Sequence, residues 1–228
     1  LDKIEFKGKS NMDFRNLYVS DIGEKVKPQE EVIIYDNIPG RSDTPIERTG
    51  KYNGYTRTIT LYDKDGNVNF DDWLTGEGNL KISREPGGFY KASVYDDYKI
   101  VQVRGLNTRY IEVPFKIQPF FRLDVGENAI VLEENSLTLY NEYSIPAKPL
   151  IKLKGEGNLS FWIGNNYIQV YDVIDHAFID SELGVCYSEY DKKEKKIEGL
   201  FPVLKKGENT IKRINCNIEI KPRWCRLW

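Results

Sequence analysis

Three groups of residues have the types that chemistry uses. Asp63, Asp65, Gly66 and Asp72 fit positions 3, 5, 6 and 12 of a calcium loop, where carboxylate oxygens would surround a hard cation. Position 1 would then be Leu61, which has no ligand oxygen, and the residues before it read as a strand rather than a helix. An Asp-Gly turn is therefore expected there. Asp175, His176, Asp180 and Ser181 contain every residue type of a hydrolytic triad. They are sequence neighbours rather than groups gathered from separate elements, and no Gly-x-Ser-x-Gly elbow accompanies them. Adjacent acids at Asp71 and Asp72, Asp96 and Asp97, and Glu133 and Glu134 could cleave a glycoside only as a pair facing across a sugar, about 5–9.5 Å apart. Neighbours on a strand point to opposite faces, so these acids read as solvated surface. Trp73, Trp162, Trp224 and Trp228 could stack on sugar rings. Core or intersubunit packing outweighs that reading, with Trp162 kept as the candidate glycan contact. With no dinucleotide, phosphate-loop or zinc-protease motif either, the sequence predicts no catalytic residue, no metal site and no cofactor.

The elements that would carry these residues are mostly strands. Of 228 residues, 40% are hydrophobic and 13% aromatic, enough to bury a core and weighted toward pleated, half-buried surfaces. Thirty-three basic against 35 acidic residues leave a formal charge of −2, and the charged run from Asp191 to Lys196 mixes its signs, so a nucleic-acid surface is not expected. Cys186, Cys216 and Cys225 are an odd number outside any Cys-x-x-Cys spacing, so no disulfide framework is expected and at most one bridge is left open. No apolar run reaches membrane-span length, and the first residues lack a signal-peptide pattern.

Strand signals in the first half fall at Val32–Tyr35, Tyr55–Tyr62, Leu80–Ser83, Tyr90–Tyr95 and Tyr110–Ile117. Ile111, Val113, Phe115 and Ile117 share one face, while Pro114 predicts an edge or a bulge because it cannot donate to a ladder. One short helix is expected over residues 69–75, where Phe70, Trp73 and Leu74 fall at i, i+3 and i+4 and Gly76 ends the run. Residues 25–51 read as a strand followed by a Pro-, Gly- and charge-rich loop from Ile38 to Arg48, an arm leaving the domain. Turn residues near 122–128 place a boundary that gives domains 1–125 and 126–228. Beyond it, short strands separated by Gly and Asn turns, with no helix, predict a β-sandwich. The fold class is mainly β, in two domains.

Taken in order, short motifs along nearly the whole chain resemble the distal tail protein family of long non-contractile-tailed phages, mostly those of Gram-positive hosts. The first half carries Phe6, Gly8, Ser10 and Phe14, then Leu17 to Val19, Pro39-Gly40-Arg41, Arg57 to Thr60, Trp73-Leu74, Glu85 to Tyr90 and Phe115 to Phe120. The second carries Pro149 to Ile151, Ile179 to Glu182, Gly199 to Pro202, Gly207 with Asn209, and Pro222 to Trp224. Each motif alone is weak; their order is what is specific.

The resemblance implies a ring-forming N-terminal β-sandwich with one short helix and an arm that embraces the neighbouring protomer, then a peripheral galectin-like β-sandwich. Six copies would form a ring at the virion's tail tip. One face would meet the tail tube protein and the other the tail-associated baseplate hub protein, with the genome passing through the channel and read by no specific contact. The chain would be made in the host bacterial cytoplasm, act at no membrane and catalyse nothing. Pro39, Gly40 and Arg41 would turn the arm, and Arg41, Arg48 or Arg57 would make intersubunit ion pairs. The alternative is a carbohydrate-binding module that holds host cell-wall glycans through Trp162.

Overall fold

The computed structural model describes residues 1–35, 39–40, 43–190 and 192–227. The chain divides into two compact units, Leu1–Phe121 with Leu227, and Arg122–Arg226.

In the first unit the strands are β1 (Ile4–Phe6), β2 (Lys9–Ser10), β3 (Leu17–Asp21), β4 (Glu30–Ile34), β5 (Ile46–Tyr52), β6 (Tyr55–Asp63), β7 (Gly76–Ile82), β8 (Gly88–Val94), β9 (Lys99–Gln102) and β10 (Arg109–Leu123). The main sheet runs β2-β1-β7-β8-β10-β6-β3, and β9 also pairs with β10. Alternation sets which face is buried: Arg57, Ile59, Leu61 and Asp63 of β6 and Ile111, Val113, Phe115 and Ile117 of β10 all point inward. Between β1 and β10 lie β7 and β8, about 14 Å of flat sheet at 4.8 Å per strand. The rings of Phe6 and Phe115 nevertheless meet edge to face, with centroids 5.2 Å apart. The sheet must therefore curl around its own core.

Two sequence expectations change here. Pro114 lies in an interior strand and keeps unbroken register with β6 opposite Thr58, with neither an edge nor a bulge. The pairing of β9 stops at Glu112, so the position lacking an N–H falls just past its end. The expected helix is a single turn. The N–H groups of Trp73 and Leu74 reach the carbonyl of Phe70 at 2.9 and 2.8 Å, Asn69 caps the N–H of Asp71, and Gly76, at φ 77°, turns the chain directly into β7. One turn suffices to bury Phe70, Trp73 and Leu74. The Trp73 indole N–H donates to the carbonyls of Phe6 and Lys9, and Phe14 packs on its ring. Lys7 and Gly8, both at positive φ, form the tight turn between β1 and β2.

The second unit is a sandwich. Its strands are β11 (Ile130–Val131), β12 (Ser136–Asn141), β13 (Leu150–Lys154), β14 (Gly157–Ile163), β15 (Asn166–Val173), β16 (His176–Asp180), β17 (Val185–Ser188), β18 (Lys193–Glu194), β19 (Ile197–Glu198), β20 (Gly207–Arg213) and β21 (Asn217–Lys221). One sheet runs β11-β21-β13-β16-β17-β18 and the other β12-β20-β14-β15-β19. Inward residues from both, including Ile151, Leu153, Phe161, Ile168, Ile179, Ile211 and Ile218, form one core.

Candidate interaction surface

β4 and β5 form a ribbon. Among the described residues they pair only with each other, in register Val32 to Arg48, Ile33 to Glu47 and Ile34 to Ile46. The region expected to be a loop up to Arg48 thus contains the start of a return strand, because Ile46, Glu47 and Arg48 belong to β5. At its base, Tyr52 packs edge to face on Phe120. An isolated two-stranded ribbon is marginal in water, and this one leaves Val32, Ile33, Ile34, Tyr35 and Ile46 exposed by 39–61%. Pro39 and Gly40 lie in a turn, with Gly40 at φ 84°, a conformation natural to glycine. Arg41 lies outside the described residues. Arg48 reaches across the ribbon to Glu30, its Nε at 2.8 Å from Oε2, and stays largely in solvent, where such a pair adds little.

Arg57 is placed differently. Its side chain is 1% exposed and engaged within its own protomer: Nε donates to the Ile22 carbonyl at 2.7 Å and Nη1 to Glu85 at 2.7 Å. Glu85 also meets Lys25 at 2.9 Å and accepts from the Tyr90 hydroxyl. Burial works against the Glu85 carboxylate, but Tyr90, Arg57 and Lys25 outweigh it and hold its pKa below the usual glutamate range. Burial and the same contact push the Tyr90 hydroxyl pKa up. Ile22 and Lys25 are the residues from which the arm departs. Beside them Gly23, at φ 68°, leaves no room for a side chain, since a Cβ there would lie 2.2 Å from the Thr58 carbonyl oxygen. Two motifs far apart in sequence, Arg57 to Thr60 and Glu85 to Tyr90, meet as one clamp on the arm's root.

The second unit has a counterpart. Arg223 grips Asp180 with two nitrogens at 2.7 and 3.0 Å, a fork-to-fork pair, and lies 3.6 Å from Glu182, which also pairs with Arg122. Asp180 further accepts from the N–H groups of Glu182 and Leu183. Burial raises its pKa, and Arg223 with these amides more than offsets that, leaving it low. Arg223 sits at φ 55°, and its N–H bonds the carbonyl of Gly126 at 2.7 Å. A Cβ on Gly126 would stand 2.3 Å from the Trp224 nitrogen. The motifs Ile179 to Glu182 and Pro222 to Trp224 are thus the two sides of one buried ion-pair network.

The chemical candidates are dispersed. Asp63 is fully buried, and its carboxylate accepts from the N–H groups of Gly66 and Val68 and from Arg109, all at 3.0 Å. Those internal donors build the Asp-Gly turn. Among the described residues no group of three or more His, Cys, Asp or Glu side chains is placed to hold a metal. His176 bonds its neighbour Asp175, while Ser181 lies beyond the far end of β16, on the order of 16 Å along the strand. Trp162 faces outward from β14, 40% exposed and tilted on Tyr167 with ring centroids 5.1 Å apart. Cys186, Cys216 and Cys225 are free and buried, and burial pushes each thiol's pKa up to about 11. Among the described residues no helix is long and apolar enough to cross a membrane.

No family model matches the sequence. No curated protein matches it either. Solved structures match the fold over almost its full length. The SPP1 Dit protein, a paradigm of the hub adsorption apparatus in phages infecting Gram-positive bacteria, aligns with a TM-score of 0.70 and 12% identity, over 96% of this chain and 97% of that one. A chain of the phage P2 baseplate, in its activated conformation with Ca, aligns with a TM-score of 0.50 and 10% identity over the same shares. At these identities the likeness establishes the fold: this chain has the two-unit β architecture of SPP1 Dit.

Proposed function

We propose that this chain is a structural subunit of a phage tail tip, a hub that joins the tail tube to the host-adsorption apparatus and carries out no catalysis. The observation that carries this reading is the full-length match to a hub protein, which includes both units rather than a generic sandwich. Six copies form a ring whose faces meet the tail tube protein and the baseplate hub protein, with the genome passing through the channel. The second unit is a galectin-like sandwich on the periphery. The protein is made in the host cytoplasm and works in the virion.

A closed ring needs two different patches on each subunit, and the β4–β5 ribbon supplies one of them. Pro39 and Gly40 shape its turn, Arg48 braces it, and Arg57 fixes its root rather than reaching the neighbour. Deleting residues 36–48 is expected to reduce the oligomer seen by light scattering to monomers. An unchanged oligomer would remove the arm from the interface.

One observation favours a second reading, in which the outer unit holds cell-wall sugars. The exposed pair Trp162 and Tyr167 offers an aromatic platform on an otherwise regular sheet face. Glycan-array binding that disappears in Trp162→Ala would support it, and an array with no bound glycan would end it.

A further inference from the structure

Asn53-Gly54 is the chain's only Asn-Gly pair. That dipeptide usually marks a tight hairpin in which both residues take positive φ. Here neither does, and the strands it joins do not pair: among the described residues β5 pairs with β4, and β6 with β3 and β10. The pair therefore makes no hairpin turn. Gly54 has a packing reason, since a Cβ there would stand 2.5 Å from the Ile117 carbonyl oxygen. The Asn53 side chain has none. Its backbone N–H donates to the Gln29 carbonyl at 2.9 Å, but the residue is exposed and its side chain makes no hydrogen bond among the described residues. The side chains of Asn11, Asn141, Asn209 and Asn215, by contrast, are all held. Gly54 is exposed too, and its N–H has no hydrogen-bond partner among the described residues.

A side-chain amide and the following backbone nitrogen, both exposed and unheld, can react with each other, and glycine puts no side chain in the way. We propose that Asn53 is a self-modification site, at which the Gly54 nitrogen gives its proton to hydroxide and attacks Asn53 Cγ. The new N–C bond closes a five-membered imide as the bond from Cγ to the amide nitrogen breaks. Ammonia leaves, taking its third hydrogen from water and restoring the hydroxide. Water then opens the ring at either carbonyl, with no change of oxidation state. Opening at Cγ gives aspartate, and opening at the backbone carbonyl gives isoaspartate, whose main chain runs through Cβ and Cγ. Isoaspartate adds one methylene to the backbone, about 1.5 Å of contour. Both flanks are anchored: Tyr52 packs on Phe120 with ring centroids 5.6 Å apart, and Tyr55 lies opposite Ile117 in the register of β6 with β10. The extra length falls between these anchors, where the ribbon leaves the sheet, and disturbs the close fit of Gly54 on Ile117. A ribbon already marginal in water is thereby loosened at its base.

The test incubates the full-length chain at mildly alkaline and at mildly acidic pH and then maps its peptides by mass. The tryptic peptide Tyr52–Arg57 is expected to gain the mass difference between an amide and an acid, sooner than any other asparagine peptide and faster at the alkaline pH. It should also accept methyl groups from an isoaspartyl methyltransferase. Asn53→Ser removes the reacting amide but keeps Gly54, and is expected to fold as wild type and show no conversion. In converted protein the amides of β4 and β5 should exchange hydrogen faster while those of β13 are unchanged. Asn53→Asp carries the charge without the added methylene and should exchange like wild type. A Tyr52–Arg57 peptide that keeps its mass, or converts only after other asparagines, overturns the site. Conversion that leaves exchange in β4 and β5 untouched, or an Asn53→Asp variant loosened just as much, overturns the proposed effect of the longer backbone.

Discussion

Replacing Arg57 by Ala should unfasten the arm's root. The guanidinium is almost fully buried, and its removal leaves the Ile22 carbonyl without its donor and deprives Glu85 of its closest charge partner. Breaking a buried pair from one side costs about 3–5 kcal/mol, of which a charged hydrogen bond such as that to Ile22 accounts for about 1.5–3. Lys25 and Tyr90 remain on Glu85 and keep the loss toward the lower end. At about 1.4 kcal/mol per tenfold change, the opening equilibrium should rise by two to four orders of magnitude. Hydrogen exchange read by mass spectrometry can localise this: amides of β6 and β8 should exchange faster, while those of β13 in the other unit keep their protection. Arg57→Lys keeps the charge without the two-point grip and should fall between. Because the Glu85 pKa is lowered on folding, the pair's contribution is complete above the ordinary glutamate value of 4.5 and is lost as pH falls through the folded-state value. The gap between wild type and Arg57→Ala should therefore narrow below about pH 4.5, toward the part that the Ile22 hydrogen bond contributes. A loss under about 1 kcal/mol at pH 7, or faster exchange spread equally over both units, would refute the clamp.

Arg223→Ala should destabilise the second unit by about 3–5 kcal/mol in a urea titration at pH 7, since it strands Asp180 in a largely buried site. The Asp180 pKa is also lowered on folding, so this difference should shrink as pH falls below the ordinary aspartate value of 3.8. The three thiols, buried and shifted upward, should react with a disulfide reagent at pH 8 only after unfolding; rapid labelling of native protein would contradict that environment. Ser188 has a buried hydroxyl with no hydrogen-bond partner among the described residues, so Ser188→Ala should leave stability unchanged or raise it by about 1 kcal/mol in the same titration.

Alternation made β6, β10 and β14 legible in the sequence, because a strand with one buried face must repeat every second residue. Ile46–Tyr52 was not legible for the converse reason: a ribbon with no core beneath it has no face to pattern. β1 and β2 were too short to show a period. The spacing of Phe70, Trp73 and Leu74 is satisfied by one helical turn as well as by a helix, so it fixed which side chains are buried but not the length. The clamp did leave a signal. Arg57 and Asp63 share the inward register with Ile59 and Leu61, and a charge on a buried face requires a partner. Glu85 lies 28 residues from Arg57, Lys25 lies 60 from Glu85 and Arg109 lies 46 from Asp63, separations at which a single sequence gives no pairing information. The ribbon's exposed apolar surface depends on what the fold leaves uncovered and could only be read from the structure.

Copies of this chain are proposed to close into a ring, and mass determination at rising protein concentration, followed by negative-stain imaging, tests this most directly. The expected result is a transition to a species of six chains that appears as a six-fold ring with an open channel. A protein that stays monomeric throughout, or stops at a compact dimer without a channel, would contradict it.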